Sequence, residues 1–431
     1  MEIDSGNTAW ILTSAALVLL MTPGLAFFYG GMSRAKSVLN MMMMSFVSMS
    51  IVSMVWVLWG YSVAFGEGGV PAFFGGLDAL GLVGLEAEGE GYPSLAFVAF
   101  QATFAIITVA LISGAVADRT KFMTWCVFVP LWLTLVYLPI CHWVWHAEGW
   151  IFKLGAIDFA GGTVVHINAG CAALALALVL GRRKGWPKEP MRPHNLPFVL
   201  LGAGLLWFGW FGFNGGSALA ANESAALAFV NTLVATGAAG FAWIMVEKLR
   251  DGAATTLGIA SGIVAGLVAI TPAAASMTPL GALVLGLVAG AVCAVAVGLK
   301  YRLGYDDSLD VVGVHLVGGI IGALAIGVFG SLAGTVPAAS LLSDGSAVLL
   351  GKQAAAIGAT MAYSFIVTFI LGKVLDMTMG FRVDEEAEAT GIDIAEHAES
   401  AYDLNTSSTG GLGGPTAAPI AGDIKKVEAD A

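Results

Sequence analysis

Eleven stretches of this chain are apolar enough, and long enough, to cross a lipid bilayer. They run over 9–31, 42–65, 94–117, 122–144, 161–181, 196–217, 225–247, 255–273, 279–299, 311–330 and 350–376. A helix needs about 20 apolar residues to cover the hydrocarbon core. The span 255–273 is the shortest and is rich in Ala and Gly. The reading is therefore an all-α polytopic membrane protein, and composition agrees. Only 11% of the residues are charged, against about 25% in a soluble domain. The 57 glycines suit a tightly packed bundle, because small residues let membrane helices approach closely.

Positive charge orients the spans, since Lys and Arg concentrate in cytoplasmic loops. Arg34 and Lys36 follow the first span, Arg119 and Lys121 the third, and Arg182, Arg183, Lys184, Lys188 and Arg192 the fifth. Lys248 and Arg250 follow the seventh, and Lys300 and Arg302 the ninth. Lys373, Arg382, Lys425 and Lys426 lie at or beyond the end of the eleventh. That places 17 of the 19 basic residues on one side and leaves Lys153 and Lys352 on the other. The expected topology has the N-terminus outside and the C-terminus in the cytoplasm. The opening "MEIDSGNT" lacks a basic region, so no cleaved signal peptide is expected.

The net charge of −11 belongs mostly to the tail: 11 acidic and 3 basic residues lie from Arg382 onward. Acidity is thus a property of the tail and says nothing about a ligand of the membrane part; no nucleic-acid partner is expected. Cys126, Cys141, Cys171 and Cys293 are scattered through apolar runs with no paired spacing, as buried small hydrophobes would be.

Two short pairs of segments suggest duplication. "FFYGGMS" (27–33) resembles "FGFNGGSA" (211–218), and "VVHINAG" (164–170) resembles "GVHLVGG" (313–319). They sit at matching places in helices 1–5 and 6–10. Five is odd, so the second half must be inverted in the membrane, an architecture that places the pathway at the interface between halves. The halves span about 9–181 and 196–330, helix 11 stands outside the repeat, and 1–380 forms the membrane domain. His166 lies eight residues past Asp158, roughly 12 Å deep at the helical rise. His315 lies five residues past Asp310, roughly 7 Å deep from the other side. The two imidazoles can meet near mid-membrane.

The segments "PGLAFFYGGMSRAKSVLN" (23–40), "FQATFAIIT" (100–108), "DFAGGTVVHINAG" (158–170), "WFGWFGFNGGSAL" (207–219) and "DVVGVHLVGG" (310–319) resemble the Amt/Mep/Rh ammonium transporter family, and its bacterial Amt branch in particular. The resemblance implies eleven helices, a homotrimer with one pore per subunit, and transport of ammonium or ammonia, with methylammonium as a related substrate. It maps His166 and His315 onto paired pore histidines, and Phe104 and Phe213 onto a stacked gate. It maps Trp145 and Ser217, together with Phe104, onto an external recruitment site. Trp210 maps onto a pore aromatic and Asp158 onto a buried aspartate near the outer site. The segment "WHAEGWIFKLGAID" (145–158) departs from the family's Gly-rich form. Trp143 is accordingly a rival to Trp145, which is preferred for its place three residues after His142.

The chemistry needs these residue types. Burying an unpaired ammonium costs several kcal/mol or more, whereas ammonia is neutral. A narrow apolar pore therefore passes ammonia and rejects ions that cannot shed a proton. A Trp face attracts the cation, a Ser hydroxyl accepts a hydrogen bond, and phenylalanines form a constriction. A neutral imidazole offers one donor and one acceptor nitrogen, so two can share a proton and still present polar edges to ammonia. They can also relay the proton that ammonium gave up, and net electrogenic transport is the favoured outcome.

Plainer readings stand beside these. Asp158 can be a helix N-cap, a stabiliser of cations in the vestibule, or both; Asp310 reads as a cap at the inner end. His142 and His146 have i, i+4 spacing, which can place two metal ligands on one face, but no further ligand accompanies them. No cofactor or resident metal is expected. Residues 384–403 of the acidic 381–431 tail can carry a short helix, and 405–422 read as disordered linker. The family resemblance implies a cytoplasmic docking face there for PII signal-transduction proteins. Two other functions remain in view: an ammonium sensor signalling through the tail, and a redox protein holding haem between His166 and His315.

Overall fold

The computed structural model describes residues 2–85 and 89–402. Among these described residues, eleven helices are long and apolar enough to span a membrane. They are α1 (Ser5–Met32), α2 (Val38–Phe65), α3 (Ser94–Val116), α4 (Phe122–Leu154, broken at 146–149), α5 (Gly162–Leu180) and α6 (Leu196–Gly216). They continue as α7 (Glu223–Asp251), α8 (Thr256–Ala273), α9 (Pro279–Leu303), α10 (Val312–Phe329) and α11 (Val348–Met379). Two short helices follow, α12 (Glu385–Thr390) and α13 (Ile392–His397). Among the described residues no strand forms, only isolated bridges. The chain is a multi-pass membrane protein.

The two halves pack alike. α2 lies against α3 and α4 as α7 lies against α8 and α9, and α1 runs along its counterpart α6. Glycine permits that last contact. A Cβ on Gly202 would stand 2.3 Å from the Phe28 nitrogen and 2.6 Å from the Gly24 oxygen, closer than any side chain tolerates.

α5 and α10 each open with a wide π-helical turn, over Gly162–Ile167 and Val312–Leu316. Such turns are uncommon and concentrate at functional sites. Each holds one of the two histidines. The start of α5 is capped by Asp158, whose carboxylate accepts from the backbone N–H of Gly161, Gly162, Thr163 and Val164 at 2.9, 2.6, 2.8 and 3.0 Å. At α10 the cap is Asp307, which accepts from Val311 and Val312 at 3.1 and 2.7 Å. This corrects the sequence expectation for Asp310, whose side chain instead pairs with Lys300 at 2.7 Å. The spacing supports the correction: Asp158 and Asp307 each stand eight residues before their histidine.

At the far end of α5 the basic loops close over buried charge. The Arg183 guanidinium donates to both Asp306 oxygens at 2.9 Å and to Asp118 at 3.1 Å. Those bonds outweigh burial and hold the Asp306 carboxyl below its usual range. Arg119 is fully buried, and burial lowers it to about 10. Residues 381–401 belong to the same compact unit as the bundle. Asp393 accepts from the backbone N–H of Leu39 and Asn40 at 3.0 and 2.9 Å, and Glu396 from that of Phe122 at 2.8 Å. The tail thus supplies acceptors to the first turns of α2 and α4, where helix donors lack partners. The linker expected over 405–422 lies outside the described residues.

Candidate functional site

α6 presents Trp210, Phe213 and Ser217 at i, i+3 and i+7, so the three share one face. α3 brings Phe100, Gln101 and Phe104 to that face, the first segment of α4 ends on Trp145, and α5 and α10 add His166 and His315. Together they form one file between the helices.

At its first station is a cavity of about 140 Å³, lined by Trp145, Phe100, Gln101, Phe104, Ser217 and Phe159 among others. The Trp145 indole N–H donates to the main-chain carbonyl of Asp158 at 2.9 Å. Its polar edge is occupied, and its ring meets Phe104 edge-on at 5.7 Å and 84°. Ser217 donates its hydroxyl proton to the Phe213 carbonyl at 2.8 Å, which leaves the oxygen lone pairs free to accept. Trp143 does not line the cavity. Its N–H bonds the Phe73 carbonyl at 2.9 Å, and its ring packs on Tyr363 at 4.7 Å. The Asp158 carboxylate is spent on its four amides. Burial raises its carboxyl above the ordinary value, with the four backbone bonds opposing. Its link to the cavity is through its main-chain oxygen and Trp145.

Phe104 and Phe213 close the cavity, stacked at 4.2 Å and 25°. Both are fully buried. Beyond them His166 lies 6.0 Å from Phe213 and stacks on Trp210 at 5.4 Å and 13°. Trp210 is anchored by its own N–H, which donates to Thr271 Oγ1 at 2.8 Å; that hydroxyl donates onward to the Leu267 carbonyl at 2.7 Å. His166 and His315 face each other with Nδ1 to Nδ1 at 3.2 Å. At that distance one nitrogen must donate and the other accept, so a single proton is shared. The gap between these two nitrogens has no room for an iron atom. His166 Nε2 is buried and has no hydrogen-bond partner.

His142 and His146 do not form a metal pair. Their rings stack at 4.3 Å, but both nitrogens of His142 lie 2.8 Å from carbonyl oxygens of Ala64 and Pro71. The His146 Nδ1 accepts the Glu148 amide at 3.1 Å. Among the described residues no group of three or more His, Cys, Asp or Glu is placed to hold a metal.

Sequence reasoning missed Gln101, Phe100, Thr271 and Asp307. Gln101 carried a readable signal, as the one amide in "FQATFAIIT". Thr271 had none, because its partner Trp210 is 61 residues away.

The chain matches a family model described as the Ammonium Transporter Family over residues 9–402. It is 55% identical over 441 aligned positions to an ammonium transporter of Mycobacterium tuberculosis, covering 94% of this chain and 92% of that one. Its fold is similar to that of Saccharomyces cerevisiae Mep2, with a TM-score of 0.81, 35% identity and coverage of 94% and 93%. It is similar also to a protein described as a sensor Amt protein, with a TM-score of 0.85, 30% identity and coverage of 91% and 98%.

Proposed function

Since the chain belongs to the ammonium transporter family, we propose that its file of side chains recruits ammonium, strips one proton and passes ammonia between the helices. One observation carries this reading. A stacked phenylalanine pair separates a cavity suited to a cation from an imidazole pair suited to a neutral molecule.

Ammonium enters the cavity over the Trp145 face and donates to Ser217. Phe104 and Phe213 offer no hydrogen bond, so the full charge is costly to carry past them. Ammonia continues and finds donor and acceptor edges at His166 and His315. The shared proton lets the pair change partners without a fixed charge, and it can take up and hand on the proton that ammonium released. Ammonia and proton then travel by separate routes, and the net event is electrogenic. Trp145 and the N-terminus face outside, and the Arg183 cluster and the tail face the cytoplasm, as the basic loops require. The subunit works in a homotrimer with its own pore.

Proteoliposomes on a solid-supported membrane test this directly. An ammonium jump should give a current that a potassium jump does not. Ammonium flux without current would remove electrogenicity alone, and absence of both would remove the reading.

A second reading is a sensor or dual sensor–transporter, prompted by the likeness to a sensor Amt protein and by the docked tail. Asp393 and Glu396 tie the tail to α2 and α4, so a PII protein bound there can bias those helices. Deleting 403–431, and separately 384–431, should alter PII binding or transport. Unchanged values for both would remove the tail from the mechanism.

A further inference from the structure

The cavity above the phenylalanine pair contains a side chain with no partner. Gln101 lines it, and only 7% of the residue is exposed. Its amide oxygen is buried without a hydrogen bond. Among the described residues neither end of the amide has a hydrogen-bond partner, whereas nearby Thr103 and Thr108 donate to carbonyls of their own helix at 2.6 Å. Native proteins leave few buried polar atoms unsatisfied, and each one requires an explanation.

The chemistry of the cargo supplies one. Ammonium is a tetrahedral donor with four N–H bonds and no acceptor. Trp145 and Phe104 offer ring faces and edges. Ser217 offers one oxygen, already oriented by its bond to the Phe213 carbonyl. In this lining the Gln101 oxygen is the remaining side-chain acceptor.

We propose that Gln101 is an ammonium-binding residue, whose amide oxygen accepts one N–H of the cation beside Ser217 before deprotonation. The assignment rests on the transport reading above. An amide is the fitting group for the task. It is a stronger acceptor than a hydroxyl, yet it carries no charge that would hold the cation in the cavity and oppose release of its proton. Gln101 stands one residue from Phe100 and three from Phe104, so α3 carries it to the lining beside the gate, and rotation of the terminal amide can turn its oxygen to the cavity.

The test compares Gln101→Met and Gln101→Glu with the parent protein in proteoliposomes. All three side chains are similar in length, so packing is largely kept. If the oxygen binds the cation, Met should raise the apparent KM for ammonium roughly tenfold to a hundredfold, the range of one hydrogen bond to a charged group. Glu should lower KM and reduce the maximal current, because a carboxylate holds the cation and its proton more tightly. A packing role predicts the opposite order: Met tolerated, Glu disruptive. Melting temperature and oligomer elution of the purified variants report folding separately. An unchanged KM in Gln101→Met, with a folded protein, overturns the assignment. Absence of both ammonium flux and ammonium current in the parent protein overturns instead the transport reading on which it rests.

Discussion

At the start of α5, Asp158 accepts from four consecutive backbone amides; at the start of α10, Asp307 accepts from two. Both caps hold a π-helical turn that carries a histidine, eight residues on. Their surroundings differ. Among the described residues none forms an ion pair with the Asp158 carboxylate, and its main-chain oxygen fixes Trp145. The Asp307 end holds a resident cation: Lys300 donates to the Asp307 main-chain carbonyl at 2.9 Å and pairs with Asp310 at 2.7 Å. Inversion of the repeat thus keeps the scaffold and changes the field. One end is left open to a visiting cation, whereas the other already contains one.

The largest effect should separate the two caps. Asp158→Ala strands four amide donors, and Asp307→Ala strands two. Losing the Asp158 carboxylate should cost about 3–5 kcal/mol, and losing that of Asp307 about 2–3 kcal/mol. Melting temperatures of the purified variants measure this. Equal losses would mean that the caps are equivalent and that the comparison of the two ends lies elsewhere.

The next effect is one of pH. Burial raises the Asp307 carboxyl to about 6, with Lys300 opposing the rise. The unfolded chain titrates near 3.9. Between about pH 4 and 6 the native state therefore binds more protons, and stability falls as pH rises through that window. The total fall from this group is at most about 3 kcal/mol. Asp307→Asn removes the titrating group and should flatten the curve there. An unaltered slope would show that the carboxyl does not carry it.

Much of this was legible in the chain. Lipid demands long apolar runs, so all eleven spans were readable. Their ends were less so, because helices continue into the polar layer. α7 runs on to Asp251 and α11 to Met379, past the expected ends at 247 and 376. The histidine pair could be read because duplication with inversion brings matching positions together. The cap of α10 was misplaced because Asp306, Asp307 and Asp310 crowd one loop, and only geometry tells which carboxylate turns toward the amides. Trp143 and Trp145 stand two residues apart on a helix, so they point to different sides. Which side faces the cavity depends on α3 and α6, not on the local sequence. Gln101 was passed over because an amide in an apolar helix usually finds a partner; its lack of one appears only in three dimensions.

The histidines are where the two halves meet, and they should respond together. Replacing His166 and His315 by Leu removes both polar edges and the shared proton. Ammonium flux should fall roughly a hundredfold, the lower range for loss of positioned proton transfer. Either single replacement should cost much of this, since each imidazole needs the other at 3.2 Å. Undiminished flux with unchanged selectivity would detach the pair from transport.

The smallest effect tests the asymmetry of the ends most directly. Trp145 contributes a ring face, worth about 1–2 kcal/mol to a desolvated cation. Trp145→Leu should therefore raise the apparent KM for ammonium about tenfold. The shift should appear only when ammonium is supplied to the face bearing Trp145. From the opposite face the indole lies beyond the histidines and the phenylalanine pair. Right-side-out and inside-out vesicles of the same variant separate the two directions. A KM raised equally from both faces would mean that Trp145 acts through the structure of the pore. A change confined to one face would fix recruitment at the end where Asp158 leaves the site without a cation of its own.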